Sequence, residues 1–184
     1  MKIAMALAAL ALTTNASPTL GKTAVQAAAP QTAPAPAATG LPITTVTQWL
    51  TAQGLTVSPL EGGSEAPQVR VTADDLTWTL NFNGCQNQIC GDLQFGAGFR
   101  NPAVTEARVN EWNTRNRFLK SFYVAPAQAG GEGTGMVQYD VIILPNLGAE
   151  QLSDHLAVWR SLLPAYATHI GYFVPEQPAT PPAQ

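Results

Sequence analysis

Two cysteines, two histidines and a pair of asparagines flanking a tryptophan are the residues with chemistry to offer in this chain of 184 residues. Cys85 and Cys90 enclose Gln-Asn-Gln-Ile. Four intervening residues let a hairpin bring the two thiols together, and an even cysteine count in an exported chain favours a disulfide. Thioredoxin-type redox chemistry uses two intervening residues, so a structural bridge is the expected role. Closing so short a loop stabilises by only about 2 kcal/mol. A metal centre would need further ligands beside the thiols. His155 and His169 are the only imidazoles, and their i, i+14 spacing on one distant helix cannot form a compact local site. Both are expected to border the core.

A hydrolytic nucleophile needs a distinctive setting, and none of Ser17, Ser58, Ser64, Ser121, Ser153 and Ser161 stands in a Gly-x-Ser-x-Gly elbow. Asp74-Asp75, ahead of an alternating segment, reads as a solvated turn rather than a carboxylate pair. Gly130, Gly131, Gly133 and Gly135 match neither a Walker nor a Rossmann phosphate loop and read as a linker. No catalytic residue, cofactor or metal is therefore expected. The competing expectation is an envelope hydrolase with an unrecognised site, using His155 or Asp140 as acid or base.

Five of the nine basic residues fall between Arg100 and Lys120: Arg100, Arg108, Arg115, Arg117 and Lys120. Arg108 and Arg115 share a helix face. A solvated surface offset by Glu106 and Glu111 is the expected role. The sharper alternative is a small patch for an anion or carboxylate, such as a peptide terminus or lipid headgroup. Asn110 and Asn113 are poor helix formers within the same helix. They are expected to hydrogen-bond neighbouring backbone at a buried helix end, with Trp112 supplying the packing; ligand contact is the alternative.

These residues must be positioned by the elements around them. Ile43–Gln53 reads as a short helix stopped by Gly54, with Val46, Trp49 and Leu50 on one face. Leu55–Leu60 and Gln68–Val71 read as strands. Leu76, Trp78, Leu80 and Phe82 alternate with polar residues, the pattern of a strand with one buried face. Leu93, Phe95 and Phe99 repeat it beyond the cysteine loop, where Gly96 and Gly98 suggest a bulge or a close backbone approach. Asn101-Pro102 should open a helix that runs to Asn116. Phe118–Val124 and Met136–Leu144 form a hairpin with a long, glycine-rich connection. Finally, Leu152, Leu156, Trp159, Leu163, Tyr166 and Ile170 line one side of a helix over Ala149–Ile170, with Pro164 turned to solvent and expected to kink it. The order α-β-β-β-β-α-β-β-α, without strict alternation, predicts an α+β fold with helices packed on an antiparallel sheet.

The chain ends differ from this middle. Lys2 followed by the apolar run Ile3–Leu12 fits a secretory signal peptide over 1–16 and is too short to span a bilayer. Cleavage is expected before Ser17, with a second option near Ala27–Ala29. Residues 17–40 form a Pro/Ala-rich disordered linker, and 175–184 a proline-rich disordered tail. One domain occupies 41–174. The net charge of −3 becomes about −4 once Lys2 is removed, which argues against charge-driven nucleic-acid binding. A soluble periplasmic or secreted protein with no integral membrane span is expected.

The pattern Cys85-x4-Cys90 before a strand, Val109-Asn110-Glu111-Trp112-Asn113, Arg117-Phe118, and a closing amphipathic helix with Trp159 resembles the YbjN-like family, over about Ile43–Ile170. Members of that family are described as bacterial sensory transduction regulators. The resemblance implies a fold like that of type III secretion chaperones and suggests dimerisation, and it implies no enzymatic activity or cofactor. Asn110, Trp112, Asn113, Arg117 and Phe118 are its signature, with a structural or partner-binding role. One departure is the segment Pro126–Gly135, glycine-rich and longer than usual. The expected function is a non-catalytic, exported binding or regulatory module that meets an unidentified protein partner in the bacterial envelope, with a homodimer as the alternative assembly.

Overall fold

This computed structural model describes residues 39–173. The leader, nearly all of the linker and the tail lie outside the described residues.

A six-strand antiparallel path forms the body of the sheet. Its strands are β2 (Thr56–Val57), β3 (Gln68–Ala73), β4 (Leu76–Gln86), β5 (Ile89–Arg100), β6 (Lys120–Val124) and β7 (Thr134–Ile142), in the spatial order β2-β3-β4-β5-β7-β6. A two-residue strand β1 (Leu41–Pro42) pairs with the start of β5, setting Leu41 opposite Cys90. It was not visible in the sequence, because two residues carry no period. Three helices accompany the sheet: α1 (Ile43–Ala52), α2 (Glu106–Arg115) and α3 (Ser153–His169), the last preceded by a 3-10 turn over Ala149–Leu152.

The period-2 pattern explains the layering. Register sets Leu80 opposite Phe95, Phe95 opposite Tyr139 and Val71 opposite Trp78, so one face collects the apolar residues. Trp78, Leu80, Phe82, Leu93, Phe95, Phe99, Val137 and Val141 are all buried there. Every residue of the predicted stripe on the last helix is buried against that face as well. Trp159 packs tilted on Phe95 with ring centroids 5.4 Å apart. Pro164 lies inside α3 and faces solvent, as the helical wheel requires.

The opposite face carries no helix of the described chain. It shows Arg70, Thr72, Thr77, Thr79, Gln94, Gln138 and Asp140, several joined in a polar ladder. Gln94 Nε2 donates to Asp140 at 2.6 Å, and Gln138 Nε2 donates to Gln94 at 3.1 Å.

Four expectations need correction. The cysteines lie within β4 and β5 rather than in a loop, and the turn is only Asn87-Gln88, both with positive φ. That two-residue geometry matches the twist of the flanking strands. Gly96 and Gly98 mark no bulge on the β7 side, where pairing runs unbroken through both, while the pairing with β4 ends at Gly96. A side chain at 98 would instead strike Met136 Sδ at 2.6 Å. The helix predicted from Asn101 begins at Glu106 with Thr105 as its cap. Asn101 caps a separate turn through the amides of Ala103 and Val104, while its Nδ2 donates to the Gly171 carbonyl at 2.8 Å. Finally, the glycine-rich segment is not a plain linker, because a Cβ on Gly133 would overlap the Tyr123 ring.

Candidate functional site

The signature residues meet at the junction of α2 and β6, on the outer edge of the sheet. Val109 and Trp112 are the buried residues of α2. Trp112 stands edge-on to Tyr166 of α3, with centroids 5.2 Å apart, and its indole N–H donates to the Leu119 carbonyl at 2.9 Å. One residue further, Asn113 Nδ2 donates to the Ser121 carbonyl and Asn113 Oδ1 accepts from the Ser121 amide, both at 2.9 Å. Along an antiparallel edge strand, alternate residues point both backbone groups away from the sheet. Ser121 is such a residue, and the Asn113 amide occupies the place of a neighbouring strand. The Ser121 hydroxyl donates to the Val109 carbonyl at 2.7 Å, which completes a closed polar network.

Asn113 therefore bonds backbone as expected, but on β6 rather than at its own helix end. Asn110 is exposed. The polar closure of α2 comes from Asn116, whose Nδ2 donates to the Trp112 carbonyl at 3.0 Å. Arg117 is exposed with its guanidinium 5.5 Å from the centre of the Phe118 ring, and Phe118 is itself 42% exposed. The signature divides accordingly: Trp112 and Asn113 hold the edge strand, and Arg117 with Phe118 face outward.

Leu119 and Gln151 escaped sequence reasoning. Leu119 is buried with φ of 64°, a left-handed conformation costing a branched side chain about 1–2 kcal/mol. Nothing in a leucine announces this. Gln151 repeats the Asn113 device, since its Oε1 accepts from the Leu144 amide at 2.8 Å while Nε2 reaches the Leu147 and Gly148 carbonyls.

The histidines take structural positions. His155 Nδ1 lies 2.8 Å from the Tyr139 hydroxyl, and His169 Nε2 donates to the Arg108 carbonyl at 2.8 Å while its ring packs on Trp112. Partial burial raises the Tyr139 pKa above its ordinary value. Tyr166 is raised further, chiefly by burial, against a smaller lowering from the Ser121 hydroxyl. His155 contacts the helix-covered face, whereas Asp140 points into the polar ladder on the bare face, so the two do not form an acid–base pair.

The basic residues disperse. Arg108 and Arg115 line one open cleft of about 510 Å³ with His169, and Arg115 pairs with Glu111. Arg100 bonds Thr134 on the bare face, and Lys120 stands 3.8 Å from Asp140. Only Arg108 and Arg115 share a surface as predicted. Cys85 and Cys90 are bridged across their strands, closing the far end of the β4–β5 hairpin. Among the described residues, no group of three or more His, Cys, Asp or Glu is placed to hold a metal. No helix among them is long and apolar enough to cross a membrane.

No curated protein matches the chain. Among solved structures it is similar to YbjN from E. coli, with 15% identity over 67% of this chain and 86% of that one, at a TM-score of 0.47. It is also similar to an uncharacterized protein from Methanothermobacter thermautotrophicus, with 14% identity over 71% and 98% and a TM-score of 0.46. A family model described as "YbjN: Putative bacterial sensory transduction regulator" matches residues 42–171, and the chain belongs to that family.

Proposed function

We propose that this protein is an exported, non-catalytic regulatory module that works by contact with another protein in the bacterial envelope. The observation that carries the reading is the division of labour within the signature. Trp112 holds the backbone of Leu119 just ahead of β6 and Asn113 holds that of Ser121 within it, which leaves Phe118 and the neighbouring edge as the outward-facing part. Buried polar groups that are fully partnered hold structure; exposed apolar side chains gathered at one edge favour contact with a partner. The regulatory description of the family supports the same reading. The Cys85–Cys90 bridge and the leader-like sequence at 1–16 support export, because disulfides persist in oxidising compartments.

Two measurements on protein from its native host test it. Mass spectrometry of the mature chain should find the leader removed, with a new terminus at Ser17 or near Ala27–Ala29, and no free thiol. Crosslinking in periplasmic extract followed by size-exclusion should retain the chain in a complex with another protein. An uncleaved, reduced chain would remove the case for export, and a strict monomer that retains no partner would remove the case for contact. Esterase or peptidase activity abolished by His155→Ala would replace the reading with a hydrolase.

A further inference from the structure

Among the described residues, the outer edge of β7 is open at Asp140 and Ile142. Ile143 donates its amide to the Gly91 carbonyl, so Ile143 and Val141 direct their backbone groups towards β5, while Gln138, Asp140 and Ile142 direct theirs outward. Gln138 is met by Lys120, the first residue of β6. Leu144, next in the same alternation, is met by the Gln151 side chain. Between these two closures the amide and carbonyl of Asp140 and of Ile142 have no partner among the described residues. The gap exists because β6 starts late. The left-handed backbone of Leu119, held through its carbonyl by Trp112, turns the preceding chain away before it reaches Asp140.

The side chains around this gap are unusually apolar for a surface. Ile142 is 77% exposed, Leu144 54%, Leu147 50% and Phe118 42%. Ile142 stands on the bare face of the sheet. Phe118, edge-on to Tyr139 at 6.3 Å, stands on the helix side. The charges at the rim, Asp140 and Lys120, lie 3.8 Å apart and offset each other.

We propose that the Asp140–Ile142 edge of β7 receives one extended, uncharged, apolar segment of a partner protein, which continues the line of β6. This rests on the protein-contact reading above and names its site. Two amides and two carbonyls at two-residue spacing are complementary to another strand, and Ile142 and Phe118 offer apolar neighbours to both of its faces. From Gln138 to Leu144 the edge spans roughly 20 Å at the usual strand rise, room for about five residues. A second copy is the poorer occupant in the register that would pair both open residues. Setting Asp140 against the same edge of another molecule, opposite Ile142 of the partner subunit, would bring Leu144 of the partner subunit opposite Gln138, where Lys120 already stands. Lys120 at Gln138 and Gln151 at Leu144 close the edge on either side and bound the stretch that can pair.

The test uses the full chain, two synthetic peptides and amide hydrogen exchange. One peptide is capped and carries a Val-Ile-Val-Phe run between lysines. The other has the same side chains with alternate backbone nitrogens methylated, so that it cannot pair as a strand. The first should slow exchange at Asp140 and Ile142 at least tenfold and leave the amides of β3 unchanged; the methylated peptide should not. Ile142→Pro removes one outward N–H without touching the bonds to β5, and should abolish the effect while the chain remains folded. Equal protection by both peptides, no protection by either, or protection that appears with protein concentration alone would each overturn the proposal. If the Ile142→Pro chain still captures its envelope partner, this site is wrong while the contact reading stands.

Discussion

The α2–β6 junction and the Cys85–Cys90 tip lie at different margins of one sheet, and each fastens a strand by a different means. At the tip the fastening is covalent, but it closes a hairpin whose pairing continues on both sides of the bridge, from Asn83–Asp92 to Gln86–Ile89. At the junction it is a set of hydrogen bonds and one buried indole, and these join β6 to a helix that reaches it by a short, kinked connection. The difference teaches that the stronger bond need not hold the more important contact. A bridge over four intervening residues removes little freedom from the unfolded chain. A shared polar network around the buried Ser121 leaves several groups without partners when one member is lost.

The comparison breaks most readily at Trp112. Trp112→Ala removes a buried ring packed on Tyr166 and frees the Leu119 carbonyl, and should lower stability by about 3–5 kcal/mol in urea unfolding. A loss under about 1 kcal/mol would mean that the junction is ornamental. Asn113→Ala comes next, at about 2–3 kcal/mol, because it strands both backbone groups of Ser121. Combined with Ser121→Ala it should be clearly less than additive, since the two side chains serve one network. The double change Cys85→Ala with Cys90→Ala should cost about 2 kcal/mol and raise hydrogen exchange only near the Asn87-Gln88 turn. Faster exchange in β6 of that variant would show that the two margins are coupled.

The smallest effect is one of pH. Burial raises the Tyr166 pKa above the ordinary 10.0, so the unfolded chain loses this proton first as pH rises. The unfolded state then binds fewer protons than the folded one, and stability, complete below pH 10.0, declines above it. Tyr166→Phe should flatten that alkaline decline in pH-resolved denaturation and cost about 1 kcal/mol at neutral pH through the lost bond to the Met136 carbonyl. An unchanged alkaline slope would place the titrating group elsewhere, with Tyr139 the next to test.

Much of the fold was legible because its signals are local. Alternation over Leu76–Phe82 and the stripe from Leu152 to Ile170 name their buried faces with no knowledge of the partner. The cysteine spacing implied its bridge for the same reason. The start of α2 was not legible. Asn101 and Thr105 are both good caps, and the choice between them is settled by the Gly171 carbonyl, 70 residues further on, which takes the Asn101 amide. The five basic residues looked like one cluster, yet the strand, the helix and the kinked connection between them carry Arg100, Arg108 and Lys120 to separate surfaces.

Composition, period and spacing by themselves determined most of the longer strands and helices, the buried face of the clearest ones and which cysteines pair. Those properties depend on neighbours a few residues away. Tertiary structure alone decided that Asn113 closes the edge of β6, that Leu119 turns left-handed and that Asp140 and Ile142 stay open among the described residues. Each of these depends on where β6 lies against β7, and that register is set jointly by strands and helices distant in sequence.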